Sequence, residues 1–194
     1  MTRLDQMISA TRERVARSKQ MADLRALERM AAAHVPRGLR RRLAAMSQSG
    51  PAIIAELKKG SPSKGLIRAN FQVVQLDGQL AKNGVSALSA LTDEQFFLGS
   101  LANLLEASAT TNVPCLRKDF IVDEFQVLEA EAHHADAILL ILAANEEFRS
   151  RLARARSLGL DALCEVHDEQ DLQRAIDGGA DIIGVTAAIS GRLR

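Results

Sequence analysis

From Pro51 onward, short apolar runs alternate with stretches whose apolar residues recur every three or four positions. The runs are Ala52–Leu57, Val85–Leu91, Val113–Leu116, Asp136–Leu142, Leu160–Val166 and Asp181–Val185. Between them lie Val73–Lys82, Leu101–Ala109, Glu124–His133, Glu146–Leu158 and Glu169–Asp177. Runs apolar on consecutive residues predict strands buried on both faces, and the intervening spacing predicts helices. Several helix exits repeat a small residue and a polar one: Gly84-Val85-Ser86, Ala135-Asp136, Gly159-Leu160-Asp161 and Gly179-Ala180-Asp181. Glycine is favoured at such exits because it adopts the left-handed conformation without a Cβ clash. The apolar runs start about 26 residues apart, from Ala52 to Asp181 over five steps. That spacing suits βα units of a parallel α/β sheet, either doubly wound or barrel-shaped.

The first 50 residues carry a different pattern. Leu4, Met7, Ile8, Thr11 and Val15 form an apolar stripe at helical spacing, with Arg3, Arg12, Arg14 and Arg17 around it. Thr2 is placed to cap this helix, with Asp5 as its capping-box partner. A second helical stretch covers Met21–Ala33. Gly38 and the run Arg40-Arg41-Arg42 then lead into a Ser/Gln/Gly segment before Pro51. Residues 1–50 therefore read as a helical extension.

Charge sharpens this division. Residues 1–50 hold 11 Lys/Arg against 4 Asp/Glu, a net of +7, and residues 51–194 hold 14 against 20, a net of −6. A basic arm can bind nucleic acid, but the chain has no Trp or Tyr and only 3% aromatics, so stacking platforms are scarce. The expectation is an arm packed on the main domain, with no nucleic acid bound. No apolar run approaches the roughly 18–20 residues of a membrane helix. The amino terminus lacks the apolar core of a secretory signal, so the expectation is a cytoplasmic protein. Cys115 and Cys164 lie inside apolar runs without CxxC spacing and read as buried free thiols. Neither His133-His134 nor His167 completes a metal set, and no GxGxxG or Walker spacing is present.

The ionisable residues fall where strands end. The first run leads into Glu56 and Lys58, the second into Thr92 and Asp93, the third into Arg117, Lys118 and Asp119, and the fifth into Glu165 and His167. A (β/α)8 barrel builds its active site from the carboxyl ends of several strands, which favours the barrel over the doubly wound sheet. Two lysines and two carboxylates converging on one mouth make an acid–base site able to hold an anion.

At these strand ends the chain resembles the indole-3-glycerol-phosphate synthase family. The resemblance is carried by Ala52-Ile-Ile-Ala-Glu-Leu-Lys-Lys-Gly-Ser-Pro-Ser-Lys-Gly65, Leu91-Thr-Asp-Glu-Gln-Phe-Phe-Leu-Gly-Ser100, Leu116-Arg-Lys-Asp-Phe-Ile-Val-Asp123 and Glu165-Val-His-Asp168, in this order. The family closes the indole ring in tryptophan biosynthesis. It converts 1-(2-carboxyphenylamino)-1-deoxyribulose 5-phosphate into indole-3-glycerol phosphate, a carboxy-lyase reaction that releases carbon dioxide and water without a cofactor. The resemblance implies a TIM barrel. It also implies Lys118 as the general acid on the ketose oxygen, Lys58 as the lysine facing the substrate carboxylate, and Glu56 as its orienting partner. Glu165 matches the acid–base residue of the dehydration. Ser61 matches a phosphate contact, and Phe97 and Phe120 match apolar contacts to the anthranilate ring.

The resemblance fails at the sixth strand. The family's Gly-Val-Asn-Asn-Arg-Asn-Leu is here Gly184-Val-Thr-Ala-Ala-Ile-Ser-Gly-Arg-Leu-Arg194, with Thr186 and Ala188 where an asparagine and an arginine are expected. A one-base shift in suitable codons for Ala187–Ser190 restores Arg-Asn-Leu, so residues 186–194 read as an out-of-frame tail. The expected organisation is thus a helical extension (1–50), a partial (β/α)8 barrel of about six strands and five helices (51–185), and the tail. On this reading much of the phosphate site and the barrel closure are missing. The expectations are little synthase activity from the chain alone and open sheet edges able to associate. The alternatives are a non-catalytic fragment, or another phosphate-binding barrel enzyme such as phosphoribosylanthranilate isomerase.

Overall fold

The computed structural model describes residues 2–145 and 147–186. Three helices come first: α1 (Arg3–Met21), α2 (Leu24–Ala32) and α3 (Leu39–Met46). Six strands follow as one parallel sheet: β1 (Ile54–Leu57), β2 (Ala87–Leu91), β3 (Cys115–Lys118), β4 (Ala137–Ile141), β5 (Asp161–Val166) and β6 (Ile182–Val185). Helices α4 (Val73–Lys82), α6 (Leu101–Thr110), α7 (Glu124–Ala132), α8 (Phe148–Ser157) and α9 (Glu169–Asp177) cross between successive strands, and a single turn, α5 (Glu94–Phe97), precedes α6. A two-residue ribbon pairs Gly60–Ser61 with Gly65–Leu66 after β1.

Each strand is hydrogen-bonded to its neighbour in sequence, without a reversal of order. A doubly wound sheet reverses at a switch point and carries helices on both faces. Sequential order puts the crossover helices on one side and a barrel interior on the other. The chain is therefore α/β, with a six-strand arc of a (β/α)8 barrel. Among the described residues, β1 and β6 are each paired along one side only.

Alternation along the strands separates two cores. Leu57, Leu88, Ala90, Ile138, Leu140, Cys164 and Val166 face the helices and pack with residues such as Leu104, Val127, Leu152 and Ala175. Ala87, Leu116 and Ala137 face the interior, where Ile54, Leu163 and Ile182 join them. Residues Gly84, Gly159 and Gly179 take φ of 79°, 72° and 75° just before β2, β5 and β6. At the exit from α7, His134 adopts the same left-handed region at φ 60° without being glycine.

The capping box of Thr2 and Asp5 starts α1, and Ile8, Thr11 and Val15 are its buried stripe. Helix α3 departs from the sequence reading, which passed from the arginine run straight to a polar segment. Leu39 and Leu43, four residues apart, give it a single apolar stripe in an otherwise basic stretch. That stripe closes the base of the interior, where Leu39 is wholly buried.

The basic arm clamps both ends of the sheet. At the mouth, the Arg14 guanidinium lies 3.2 Å from Asp119 and 4.0 Å from Asp93, and Lys19 lies 2.9 Å from Asp123. At the base, Arg37 reaches Asp136 at 2.7 Å. The Arg40 side chain reaches Asp181 at 2.9 Å, and its backbone N–H donates to Asp161 at 2.8 Å. The opposite charges of the two segments thus meet in specific pairs.

Cys115 and Cys164 are free and buried. Burial pushes the Cys115 thiol up to about 12 and the Cys164 thiol to about 11. No helix among the described residues is long and apolar enough to cross a membrane. The expected out-of-frame tail (186–194) lies outside the described residues from residue 187 onward.

Candidate active site

Successive interior positions bring Glu56 and Lys58 to the same side of the β1 end, because side chains two apart on a strand share a face. Lys118 ends β3 on that face. Its neighbours Arg117 and Asp119 point the other way, into the helix layer. The Glu56 carboxylate contacts both ammonium groups: Lys58 on one oxygen and Lys118, at 3.0 Å, on the other. All three side chains are between a quarter and two-fifths exposed, so the cluster opens to the mouth. Burial works against the Glu56 charge, yet hydrogen bonds and charge from Lys58 and Lys118 outweigh it and hold this carboxyl below its ordinary range.

Beside Lys118 lies a small apolar slot of about 40 Å³, lined by Leu91, Phe97, Phe120, Leu139 and Ile141. The Phe97 and Phe120 rings are 6.5 Å apart and tilted by 45°. Local capping sets both. Asp93 accepts from the N–H groups of Phe96 (2.6 Å) and Phe97 (3.3 Å), which folds α5 over the end of β2. The turn then closes through Gly99, where a Cβ would stand 2.1 Å from the Leu91 carbonyl oxygen, so no other residue fits. Burial raises the Asp93 pKa, and the nearby Asp119 charge adds to it.

The β3–α7 loop carrying Phe120 is held by Gln126. Its Oε1 accepts from the N–H of Val122 (2.7 Å), and its Nε2 donates to the Phe120 carbonyl (2.9 Å). Behind it, fully buried Arg117 donates to Thr92 Oγ1 (3.2 Å), to Asp119 (3.0 Å) and to the Gln126 carbonyl (2.8 Å), and lies 2.8 Å from Glu129. This network fixes the strand end from which Lys118 projects.

Ser61 sits in the ribbon after β1, and its Oγ accepts from the Lys64 N–H at 3.3 Å. It borders a cleft of about 420 Å³ shared by Lys58, Ser63, Lys64, Phe97, Arg3 and Met7. Glu165 is an interior residue of β5, two strands from Lys118. The structure thus joins Glu56, Lys58 and Lys118 directly and sets Phe97 and Phe120 beside them. Glu165 shares their face without contacting them; its neighbour is His167, at 3.3 Å.

Sequence reasoning missed two features of this region. The arm reaches the mouth: Arg3 of α1 donates to the Pro62 carbonyl at 2.6 Å, so α1 forms one wall of the cleft. The excess of arginine was the available signal, but it carried no address. His167 stood with Glu165 at the fifth strand end without an assigned role, although the two-residue offset places both on one face.

Comparison with known proteins gives the following. The family model described as indole-3-glycerol phosphate synthase matches residues 4–187. A protein of that name from Koribacter versatilis is 53% identical over 184 residues, 94% of this chain and 71% of the relative. One from Burkholderia vietnamiensis is 44% identical over 185 residues, with the same coverage of 94% and 71%. Among solved structures, thiamine phosphate pyrophosphorylase from Pyrococcus furiosus aligns with a TM-score of 0.51 at 15% identity, covering 77% of this chain and 63% of that one. At that identity the likeness concerns the fold alone.

Proposed function

The chain belongs to the indole-3-glycerol phosphate synthase family, and from that premise we propose that its mouth carries the family's ring-closing chemistry on a phosphorylated anthranilate-derived ketose. The observation that carries this reading is the contact of one carboxylate, Glu56, with two lysines beside an apolar slot. The slot between Phe97 and Phe120 suits the edge of an aromatic ring. Lys118, at its border, is suited to donate a proton as the aryl carbon attacks the ketose carbonyl and that oxygen gains negative charge. Lys58 offers a cation to the substrate carboxylate before it leaves as carbon dioxide. Glu56 keeps both ammonium groups charged and oriented. In the final dehydration, Glu165 takes the carbon-bound proton while the Lys58 ammonium supplies the proton with which the hydroxyl leaves as water. Ser61, with Lys64 beside it, supports a phosphate contact in the cleft.

The test is turnover of 1-(2-carboxyphenylamino)-1-deoxyribulose 5-phosphate by the purified protein, followed by the fluorescence of the indole product. Loss of product in Lys118→Ala supports the reading, and equal product from that variant sinks it. A second reading, binding without turnover, is favoured by the single-sided pairing of β1 and β6 among the described residues. Calorimetric binding of the substrate with no product formed distinguishes it.

A further inference from the structure

Glu56 and Glu165 face the same interior but keep different company. Glu56 lies against two lysine ammonium groups, which favour its ionised form at any ordinary pH. Among the described residues, the side chain within ion-pair distance of Glu165 is an imidazole: His167 Nε2 lies 3.3 Å from Oε1. A carboxylate that must take up and release a proton is poorly served by permanent cations. A single ring N–H facing one oxygen suits it better.

A second carboxylate lies on the other side of the imidazole. Asp171, on α9, is 5% exposed. Its Oδ1 is held by Arg174 at 3.2 Å, and its Oδ2 faces the His167 backbone N–H at 3.4 Å and the ring Nδ1 at 4.0 Å. Asp171 is anchored in turn, because its own N–H donates to the Asp168 cap at 2.8 Å. The ring thus lies between Asp171 on α9 and Glu165 on β5, each facing one nitrogen. It remains about one-third exposed at the mouth.

We propose that His167 is a positioning residue for Glu165. Its Nε2, 3.3 Å from Oε1, holds one carboxylate oxygen at the β5 end and leaves Oε2 to meet a substrate proton. The role rests on the reading of Glu165 as the base of the dehydration. Its basis is the interior offset of two residues, the 3.3 Å contact and the buried Asp171 behind the ring.

Two measurements on the full chain test it. The first is the ring ¹⁵N spectrum of the protein across pH, in which the chain's four histidines are few enough to assign by comparison with His167→Gln. Glu165→Gln is expected to change the His167 ring shifts, since it replaces a carboxylate 3.3 Å from Nε2 with a neutral amide. A His167 signal unaltered by Glu165→Gln overturns the proposal, and this comparison needs no turnover. The second is kinetic. His167→Ala is expected to lower kcat about tenfold with KM little changed, the size of losing one hydrogen bond to a charged group. His167→Gln, which restores an N–H group beside the carboxylate, should recover most of the rate. Wild-type kcat in His167→Ala, or a loss that His167→Gln does not recover, also overturns it. Full activity in Glu165→Gln would instead remove the base reading of Glu165, while the ¹⁵N comparison still reports whether the pair exists.

Discussion

The two ends of the six-strand arc are both charged, yet their charges do different things. At the base, Asp136, Asp161 and Asp181 precede or open β4, β5 and β6, and each meets the arm through Arg37 or Arg40. Asp136 is fully buried, accepts from Arg37 and the Cys115 N–H, and lies 3.4 Å from His34 Nε2. At the mouth, Glu56, Lys58 and Lys118 pair with one another and stay partly exposed. Charge at the base is consumed in holding the chain together; charge at the mouth remains within reach of a ligand. The same contrast recurs within β3, where Arg117 is wholly buried among protein partners and its neighbour Lys118 is 37% exposed.

That contrast can be broken from either side. The largest effect belongs to the mouth: Lys118→Ala should lower turnover by ~10²–10⁴-fold, the usual contribution of a positioned general acid. Its urea unfolding midpoint should barely move, since surface changes stay within about 0.5 kcal/mol. A variant that loses stability and activity together would show that Lys118 is structural. At the base the pattern should invert. Arg37→Ala leaves the buried Asp136 carboxylate without its main partner and should cost about 3 kcal/mol in urea melts. The folded fraction should keep its affinity for substrate.

Acid sharpens the comparison further. Burial opposes the Asp136 charge, but His34 and Arg37 outweigh it and hold this pKa below the ordinary value. A depressed carboxyl contributes stability that is fully present above its unfolded pKa, near 3.9, and is lost as pH falls through the folded value. Stability should therefore decline below about pH 4 in wild type, and the decline should flatten in Asp136→Asn, as read by circular dichroism. The smallest effect is expected at the exposed end of the arm. Lys19→Ala removes a half-exposed pair with Asp123 and should cost about 0.2–1 kcal/mol.

Much of this architecture was legible beforehand. The crossover helices α4 and α9 fall where the spacing put them, because burial of one helix face leaves a periodic trace. The convergence of Glu56, Lys58 and Lys118 was legible too, since strand ends of a barrel meet at one mouth. Helix α3 was not, because eight residues with three arginines leave only Leu39 and Leu43 to mark it. The reach of the arm was also hidden: Arg14 and Arg37 are alike in sequence, and nothing local says which end of the sheet each will meet.

The amino-acid order by itself determined the alternation of strand and helix, the interior or helix-layer side of each strand residue, and the family to which the chain belongs. These follow from backbone periodicity and from motifs of adjacent residues. Only the tertiary structure decided that Glu56 of β1 reaches Lys118 of β3, that the arm closes the base and walls the mouth, and that Asp171 of α9 lies beside His167. Those pairings join side chains from different strands and helices. Their distances depend on how the sheet curves and where the arm docks, which no local pattern encodes.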